Sequence, residues 1–499
     1  MIDVIWDQAH HTPCSLAVSL ANDCRSATIF QDCRPLALQD CHPLWQPPRR
    51  PTPPTQSLRP HGMLRTLPLD DEFQVAFVPS YSQIAVLNRE ASQLLERLPL
   101  RAGDSIEEQE AIKQLFALGL LNDGNNAIPV PEAPQVLVAW LQLTNACNLR
   151  CGYCYIQKSG ESMSVATAQN AVDAVIRTAL QHGYPVIALK YAGGEASLRM
   201  DLVEQTHRYA QAQAARYELG LQAGLLSNGT TLTPRRLDRI ASLGLRLMIS
   251  LDGMAADNDR NRPTIGGGSS SGTVIAGIER ALVAGITPDI AITVTSASVD
   301  GLPDLLAWLL NRNLPFSISF YREHSGGGTT HNLRADEQKL ITGMRRAYAV
   351  IARHPPRWSL TSTLLDRADL SRAHRRTCAV GENYLVIDHH GQVAKCQMTL
   401  DQPISHIRAA NPLDVIRLDQ IGMRNLAVEE KEGCCTCDWR YWCAGGCAIA
   451  TYRASGSYDA RSPNCTIYQS LYPDVIRLEG LRLLHWHLPH NLIDDITRM

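Results

Sequence analysis

Between Ala139 and Phe320, six short apolar runs alternate with longer stretches of helical periodicity, and this alternation limits the fold more tightly than anything else in the 499 residues. The runs are Ala139–Leu143, Val186–Tyr191, Ala223–Ser227, Leu245–Leu251, Asp289–Val294 and Phe316–Phe320; the helical patterns between them are Val165–Gln181, Met200–Arg216, Pro234–Ser242, Thr273–Ala284 and Leu302–Asn311. Parallel strands need a crossover of about a dozen residues, which a helix supplies. The pattern therefore predicts an α/β unit built on a parallel sheet.

The first run feeds into Leu143-Thr-Asn-Ala-Cys147-Asn-Leu-Arg-Cys151-Gly-Tyr-Cys154-Tyr155. Thiolates this close on one loop can each reach a different iron of a cubane cluster, leaving the fourth iron open to a substrate or cofactor. Zinc takes four ligands, often as paired C-x2-C elements, and a lone trio without a nearby histidine suits it poorly. Cysteines that merely pack have no reason to gather on a polar loop.

Composition narrows the setting. Lys and Arg number 47 against 49 Asp and Glu, a formal net charge of -2, so neither nucleic acid nor an anionic membrane is expected as a partner. No apolar run approaches the length of a bilayer span, and the opening Met-Ile-Asp-Val-Ile-Trp-Asp-Gln lacks the basic region of a signal peptide; a cytoplasmic protein is expected. In that setting 15 cysteines argue for metal or redox chemistry over a disulfide framework.

The C-x3-C-x2-C loop, with Tyr153 before its last cysteine, resembles the signature of the radical S-adenosylmethionine (SAM) enzymes, and the likeness runs from about Ala139 to Val294. The resemblance implies a partial (β/α)6 TIM-like barrel with functional loops at the C-terminal ends of its strands. It implies a 4Fe–4S cluster on Cys147, Cys151 and Cys154 whose open iron binds SAM. An electron, from a donor such as flavodoxin or ferredoxin, then releases a 5′-deoxyadenosyl radical. After the second run, Ala192-Gly-Gly-Glu195 matches the family's Gly-Gly-Glu-Pro element except for Ala196; by resemblance Gly193, Gly194 and Glu195 hold the methionine end of SAM. Ser227 and Asn228 after the third run, and Ser250, Asp252 and Arg262 after the fourth, match positions that supply further cofactor contacts. Each segment alone is ordinary turn chemistry. Gly266-Gly-Gly-Ser-Ser-Ser-Gly272 and Gly326-Gly-Gly328 lack the Lys-Ser/Thr of a phosphate loop and read as flexible loops near the open end of the barrel, with His324 and His331 at the surface.

Residues 1–61 show no sustained period and end in the polyproline-prone Gln46-Pro-Pro-Arg-Arg-Pro-Thr-Pro-Pro-Thr, so they read as an extension and linker. Cys14, Cys24, Cys33 and Cys41 are too sparse there for a local metal knuckle. Residues 62–130 read as a small folded unit. Phe73–Val78 and Gln83–Leu87 flank the turn-prone Pro79-Ser-Tyr-Ser82, Asn88 can cap a helix through Leu98, and Ser105-Ile-Glu-Glu108 is a capping box opening a helix that ends near Gly119. The arrangement resembles the PqqD-like winged-helix domain (RiPP recognition element) of peptide-modifying radical enzymes, in which an exposed strand edge pairs with the leader of a ribosomally made precursor peptide.

In residues 356–499, the spacing of Cys378, Cys396, Cys434, Cys437, Cys443, Cys447 and Cys465 resembles the SPASM extension, which carries two auxiliary clusters and would bring the total to three 4Fe–4S clusters. The resemblance implies one cluster on Cys434, Cys437, Cys443 and Cys465, and another on Cys378, Cys396 and Cys447 whose fourth position is open. Cys435, an amino-terminal cysteine, Asp388, His389 or His390 could fill it, or substrate could bind there; two structural zincs are the alternative for the block. Gln397 stands where sulfatase-maturing relatives place an Asp base, which disfavours sulfatase maturation.

The sequence thus reads as a radical SAM partial barrel (131–355) between a leader-recognition unit and a SPASM unit, modifying a precursor peptide by a carbon–carbon (cyclophane-type) or thioether cross-link. Epimerisation or side-chain oxidation is the alternative within the class, and a zinc-stabilised nucleic-acid-binding protein the alternative outside it. No residue stands out as a catalytic base.

Overall fold

The computed structural model describes residues 2–6, 58–79, 83–98, 105–124, 134–324 and 333–487. The four amino-terminal cysteines, the polyproline stretch, the turn residues 80–82, Gly326–Gly328 and His331 lie outside the described residues.

The N-terminal unit contains β1 (Val4–Trp6), β2 (Arg59–Pro60), β3 (Arg65–Pro68), β4 (Phe73–Phe77), β5 (Ala85–Asn88), α1 (Arg89–Glu96), α2 (Ile106–Ala117) and β6 (Leu121–Asn122). Its antiparallel sheet has the order β1-β5-β4-β3, and β2 pairs with β6. Both helices start where the capping chemistry places them. Asn88 Oδ1 accepts from the Ala91 amide (2.9 Å), and Ser105 and Glu108 satisfy each other's backbone donors. Leu87, Leu94, Ile112 and Leu115 fill the space beneath. Two stretches of the aperiodic first 61 residues nevertheless pair: β1 and β2 are too short to carry a period, and their partners create them.

The expected alternation then appears: β7 (Val136–Thr144), α3 (Val165–His182), β8 (Val186–Gly193), α4 (Met200–Arg216), β9 (Gly220–Ser227), α5 (Pro234–Ser242), β10 (Arg246–Ser250), α6 (Ala256–Asn261), α7 (Ser271–Val283), β11 (Asp289–Val294), α8 (Leu302–Leu310), β12 (Phe316–Phe320) and α9 (Glu337–Arg353). β7 to β12 pair in parallel, each with the next, so the sheet advances in one direction and its C-terminal edges share one rim. All nine residues of β7 are buried, as a strand covered on both faces must be.

The C-terminal third comprises β13 (Tyr384–Ile387), β14 (Gln392–Ala394), β15 (Ser405–His406), α10 (Pro412–Leu418), α11 (Arg440–Cys443), α12 (Ala448–Ser455) and α13 (Cys465–His487). β13 pairs in parallel with β7, the strand that feeds the cysteine loop, and β14 and β15 continue the same sheet to nine strands. α13 packs on α9 and reaches back to the N-terminal unit, where Arg477 donates to the carbonyls of Pro68 (2.7 Å) and Leu69 (3.1 Å). Among the described residues no helix is long and apolar enough to cross a membrane.

Candidate active site

The cysteine loop leaves the C-terminal end of β7 and is held against the end of β8 by backbone alone. The Gly194 amide donates to Thr144 O (2.7 Å) and the Glu195 amide to Ala146 O (2.8 Å). A Cβ on Gly193 would sit 2.4 Å from Thr144 O, and one on Gly194 2.3 Å from Ala146 O. These glycines, expected to let backbone approach a cofactor, also admit the loop that carries Cys147.

Cys147, Cys151 and Cys154 line one pocket together with Tyr153, Gly193, Gly194, Glu195, Ser227, Asn228, Ser250 and Arg262. The loops after β7, β8, β9 and β10 thus converge on one cavity. Lys158 Nζ lies 2.9 Å from Cys154 Sγ, and Asn228 Nδ2 lies 3.8 Å from Cys147 Sγ. Burial pushes the Cys147 thiol up and the Cys151 thiol up to about 11. Burial opposes the charge on Lys158, but the surrounding thiols outweigh it and hold the ammonium above its ordinary value. Such a site favours neutral thiols until a cation takes their protons' place.

Glu195 is buried and already engaged. Its Oε1 accepts from the Ser197 amide (3.1 Å), the Ser197 hydroxyl and the Ser227 hydroxyl (2.8 Å), and Oε2 accepts from the Asn228 amide (2.5 Å). It ties β8 to β9, and its spare acceptor capacity lies on Oε2. Asp252 stands behind the pocket wall. Tyr153 donates its hydroxyl proton to Asp252 Oδ2 (2.6 Å) and accepts from Arg262 Nη1 (2.5 Å), and Asp252 Oδ1 accepts from the Thr293 amide (2.8 Å). The aromatic residue of the cysteine motif therefore anchors its loop to the segment after β10 and, through Asp252, to β11 itself.

His324, expected at the surface, is half-buried and places Nε2 2.7 Å from the Tyr153 carbonyl. Burial holds its ring below the usual pKa, which suits a neutral imidazole donating from Nε2. A histidine in an irregular segment carries no periodic signal, and nothing local could have placed it.

In the second set, Cys434 is pushed up to about 12 by burial and by the charges of Cys443, Cys465 and Cys437, so these four thiols lie within electrostatic reach of one another. Cys396 belongs to a buried cluster with Trp140 and Ala192, and Cys378 and Cys447 pack on it. Gln397 and Met398, beside Cys396, line the same pocket as Cys147. The proposed fillers of the open position are differently engaged. Asp388 Oδ1 accepts from the His390 (2.9 Å) and Gln392 (2.7 Å) amides of its own turn, and His389 and His390 face Glu161 at 3.3 and 3.8 Å. Cys435 is exposed.

An arc of parallel strands with a three-cysteine loop over its C-terminal rim defines a class, and residues 141–305 match the family model of the Radical SAM superfamily. These residues form a radical SAM domain. The chain is 27% identical over 358 residues to the AdoMet-dependent heme synthase of Nitratidesulfovibrio vulgaris, covering 66% of this chain and 92% of that protein. It is 24% identical over 349 residues to the sporulation killing factor maturation protein SkfB of Bacillus subtilis, covering 68% of this chain and 80% of that protein. The solved structure of anSMEcpe with bound AdoMet superposes with a TM-score of 0.57 at 15% identity, over 69% of this chain and 99% of that one, which is a likeness of fold. A radical SAM domain works with SAM and a 4Fe–4S cluster, and the donor set fits: three unpaired cysteines on one pocket, with a lysine ammonium beside one sulfur.

Proposed function

We propose that the chain is a radical SAM maturase that cross-links a ribosomally made precursor peptide, whose leader docks on the N-terminal unit. Cys147, Cys151 and Cys154 would hold the cluster, and Gly193, Gly194, Ser227, Asn228, Ser250 and Arg262, with Oε2 of Glu195, would line the SAM site. Bound there and given one electron by an external donor, cluster and cofactor would supply radical chemistry able to take hydrogen from a substrate carbon. The chain's own residues orient and enclose: the Tyr153–Asp252–Arg262 group holds the loop, and Lys158 sets its ammonium 2.9 Å from Cys154 Sγ. Cys434, Cys437, Cys443 and Cys465 would hold one auxiliary cluster, and Cys378, Cys396 and Cys447 the other.

The observation that supports the reading is the continuity of one pocket from Cys147 to Gln397 and Met398, where a substrate would lie between the proposed radical site and the second thiol set. The likeness to a peptide maturation protein supports a peptide as that substrate. The likeness to a heme synthase favours a second reading, a tetrapyrrole substrate. Anaerobic reconstitution with an iron count and a deoxyadenosine assay tests the first step: about twelve irons are expected for three cubanes. Co-expression with peptides encoded nearby should then give a product lighter by two hydrogens. Zinc without iron and no SAM cleavage would refute the enzyme, and turnover of a porphyrin precursor with no peptide product would replace the peptide by the tetrapyrrole.

A further inference from the structure

The edge of β5 that faces away from β4 is filled by the chain's own first residues. β1 runs antiparallel to β5, with Val4 opposite Leu87, Ile5 opposite Val86 and Trp6 opposite Ala85. The Asn88 amide donates to the Asp3 carbonyl (3.2 Å), and hydrogen-bonded pairs alternate along such a ladder, so residues 3 and 5 carry its bonds. Side chains alternate as well. Ile2, Val4 and Trp6 lean on the core of the N-terminal unit, whereas Ile5 packs toward the main core. The Ile2 amide also donates to Glu107 Oε1 in the first turn of α2 (2.8 Å).

This strand is held on weaker terms than its neighbours. It has 3 residues, fewer than any other in its sheet, and residues 2–6 are half-buried while all of β5 is buried. No hairpin turn fixes its register, because its partner β5 begins only at Ala85, far along the chain. A strand bound this way can exchange with any extended segment offering the same backbone groups and side-chain pattern.

We propose that residues 2–6 are a built-in stand-in for the substrate's recognition strand. They occupy the docking edge in the resting chain, and a peptide presenting large apolar side chains at three alternate positions, as Ile2, Val4 and Trp6 do, displaces them. The inference rests on the peptide reading above and adds to it the pattern the leader must carry, and a reason why peptides lacking it are ignored.

The probe is a fluorescein-labelled peptide of residues 1–9, Met-Ile-Asp-Val-Ile-Trp-Asp-Gln-Ala, titrated by anisotropy into the full-length protein and its Ile5→Pro and Val4→Asp variants. The first variant removes a ladder donor and the second puts a charge among apolar contacts. The peptide should bind both variants at least tenfold more tightly than the parent, and a peptide carrying the same proline should bind none of them. Equal affinity for parent and variants, or no binding to any, overturns the proposal. Hydrogen exchange at the Val86 and Asn88 amides should be faster in both variants; unchanged protection overturns the docked strand. No precursor peptide enters these measurements. Their failure leaves the deoxyadenosine and product-mass tests standing, and failure of those tests leaves the strand exchange standing.

Discussion

Replacing Gly194 by alanine should uncouple iron binding from folding. The residue does not have a positive φ, so alanine brings no backbone strain of its own and the effect comes from contact alone. Its Cβ would stand 2.3 Å from Ala146 O, 2.7 Å from Ala146 C and 2.7 Å from Asn145 O, all backbone atoms that cannot rotate aside. Reaching even a 3.0 Å contact moves the loop by at least about 0.7 Å. That movement stretches the bonds from Gly194 to Thr144 and from Glu195 to Ala146, each worth about 1 kcal/mol, and adds an overpacking cost of about 1–3 kcal/mol. The melting temperature should fall by several degrees while the circular dichroism of the folded protein is retained. The chemistry should suffer more. A displacement near 1 Å typically costs about a hundredfold in rate, and Cys147 lies one residue beyond the displaced carbonyl. Deoxyadenosine formation should therefore drop about a hundredfold, with fewer irons retained after anaerobic desalting. Gly160→Ala is the control, since nothing lies within 4 Å of its would-be Cβ. A Gly194→Ala protein with a full iron complement and a rate within twofold of the parent would refute the argument that this glycine sets the loop.

Cys151→Ala should abolish deoxyadenosine formation in a chain that stays folded by circular dichroism; retained cleavage would remove the cluster from this loop. Tyr153→Phe deletes the hydroxyl between Asp252 and Arg262, which stand 4.0 Å apart and are buried, and should cost about 1–3 kcal/mol in a urea titration; an unchanged midpoint would deny the anchor. Burial pushes the Asp289 carboxyl up to about 7 despite Arg246 at 3.5 Å, so between about pH 4 and pH 7 the folded chain keeps a proton that the unfolded chain releases. Stability contributed by this group is then complete below about pH 4 and declines, by at most about 4 kcal/mol, as pH rises to about 7. Asp289→Asn should flatten that decline, and parallel stability profiles of parent and variant would count against it.

The six-strand arc was legible because each strand and its helix announce themselves locally. Asn88 and Ser105 cap their helices as their side-chain chemistry dictates, and Met200–Arg216 and Pro234–Ser242 fall at the residues their periodicity gave. What stayed hidden depends on partners distant in sequence. β1 is three residues with no period, and becomes a strand only because β5 offers it an edge. β13 reads as a short apolar run, and its parallel pairing with β7 joins residues about 246 apart. Gly193 and Gly194 show the same limit inside the site: the sequence has two residues without side chains, and only the fold reveals that Thr144 and Ala146 come close to them.

Lys431 brings the two thiol sets of the C-terminal third into one electrostatic problem. It is fully buried, donates from Nζ to Ala444 O (2.9 Å), and feels the charges of Cys434 and Cys443 from one set and of Cys378 and Cys447 from the other. Gly445, at φ 74, passes so close that its Cβ would lie 2.4 Å from Lys431 Cδ, so the turn between Cys443 and Cys447 is wrapped over this side chain. Burial drives the ammonium below its ordinary pKa, as expected of a cation taken out of water. With the thiols neutral, that cation is poorly offset. Metal–thiolate centres would supply the missing negative charge. Lys431→Met should therefore act with opposite signs in the two states: stabilising the metal-free chain by about 1–4 kcal/mol, as replacement of buried charge by apolar volume can, and destabilising the reconstituted one. Denaturant titrations of both forms decide it. A change of the same sign in each would mean that Lys431 serves packing rather than the charge of the centres.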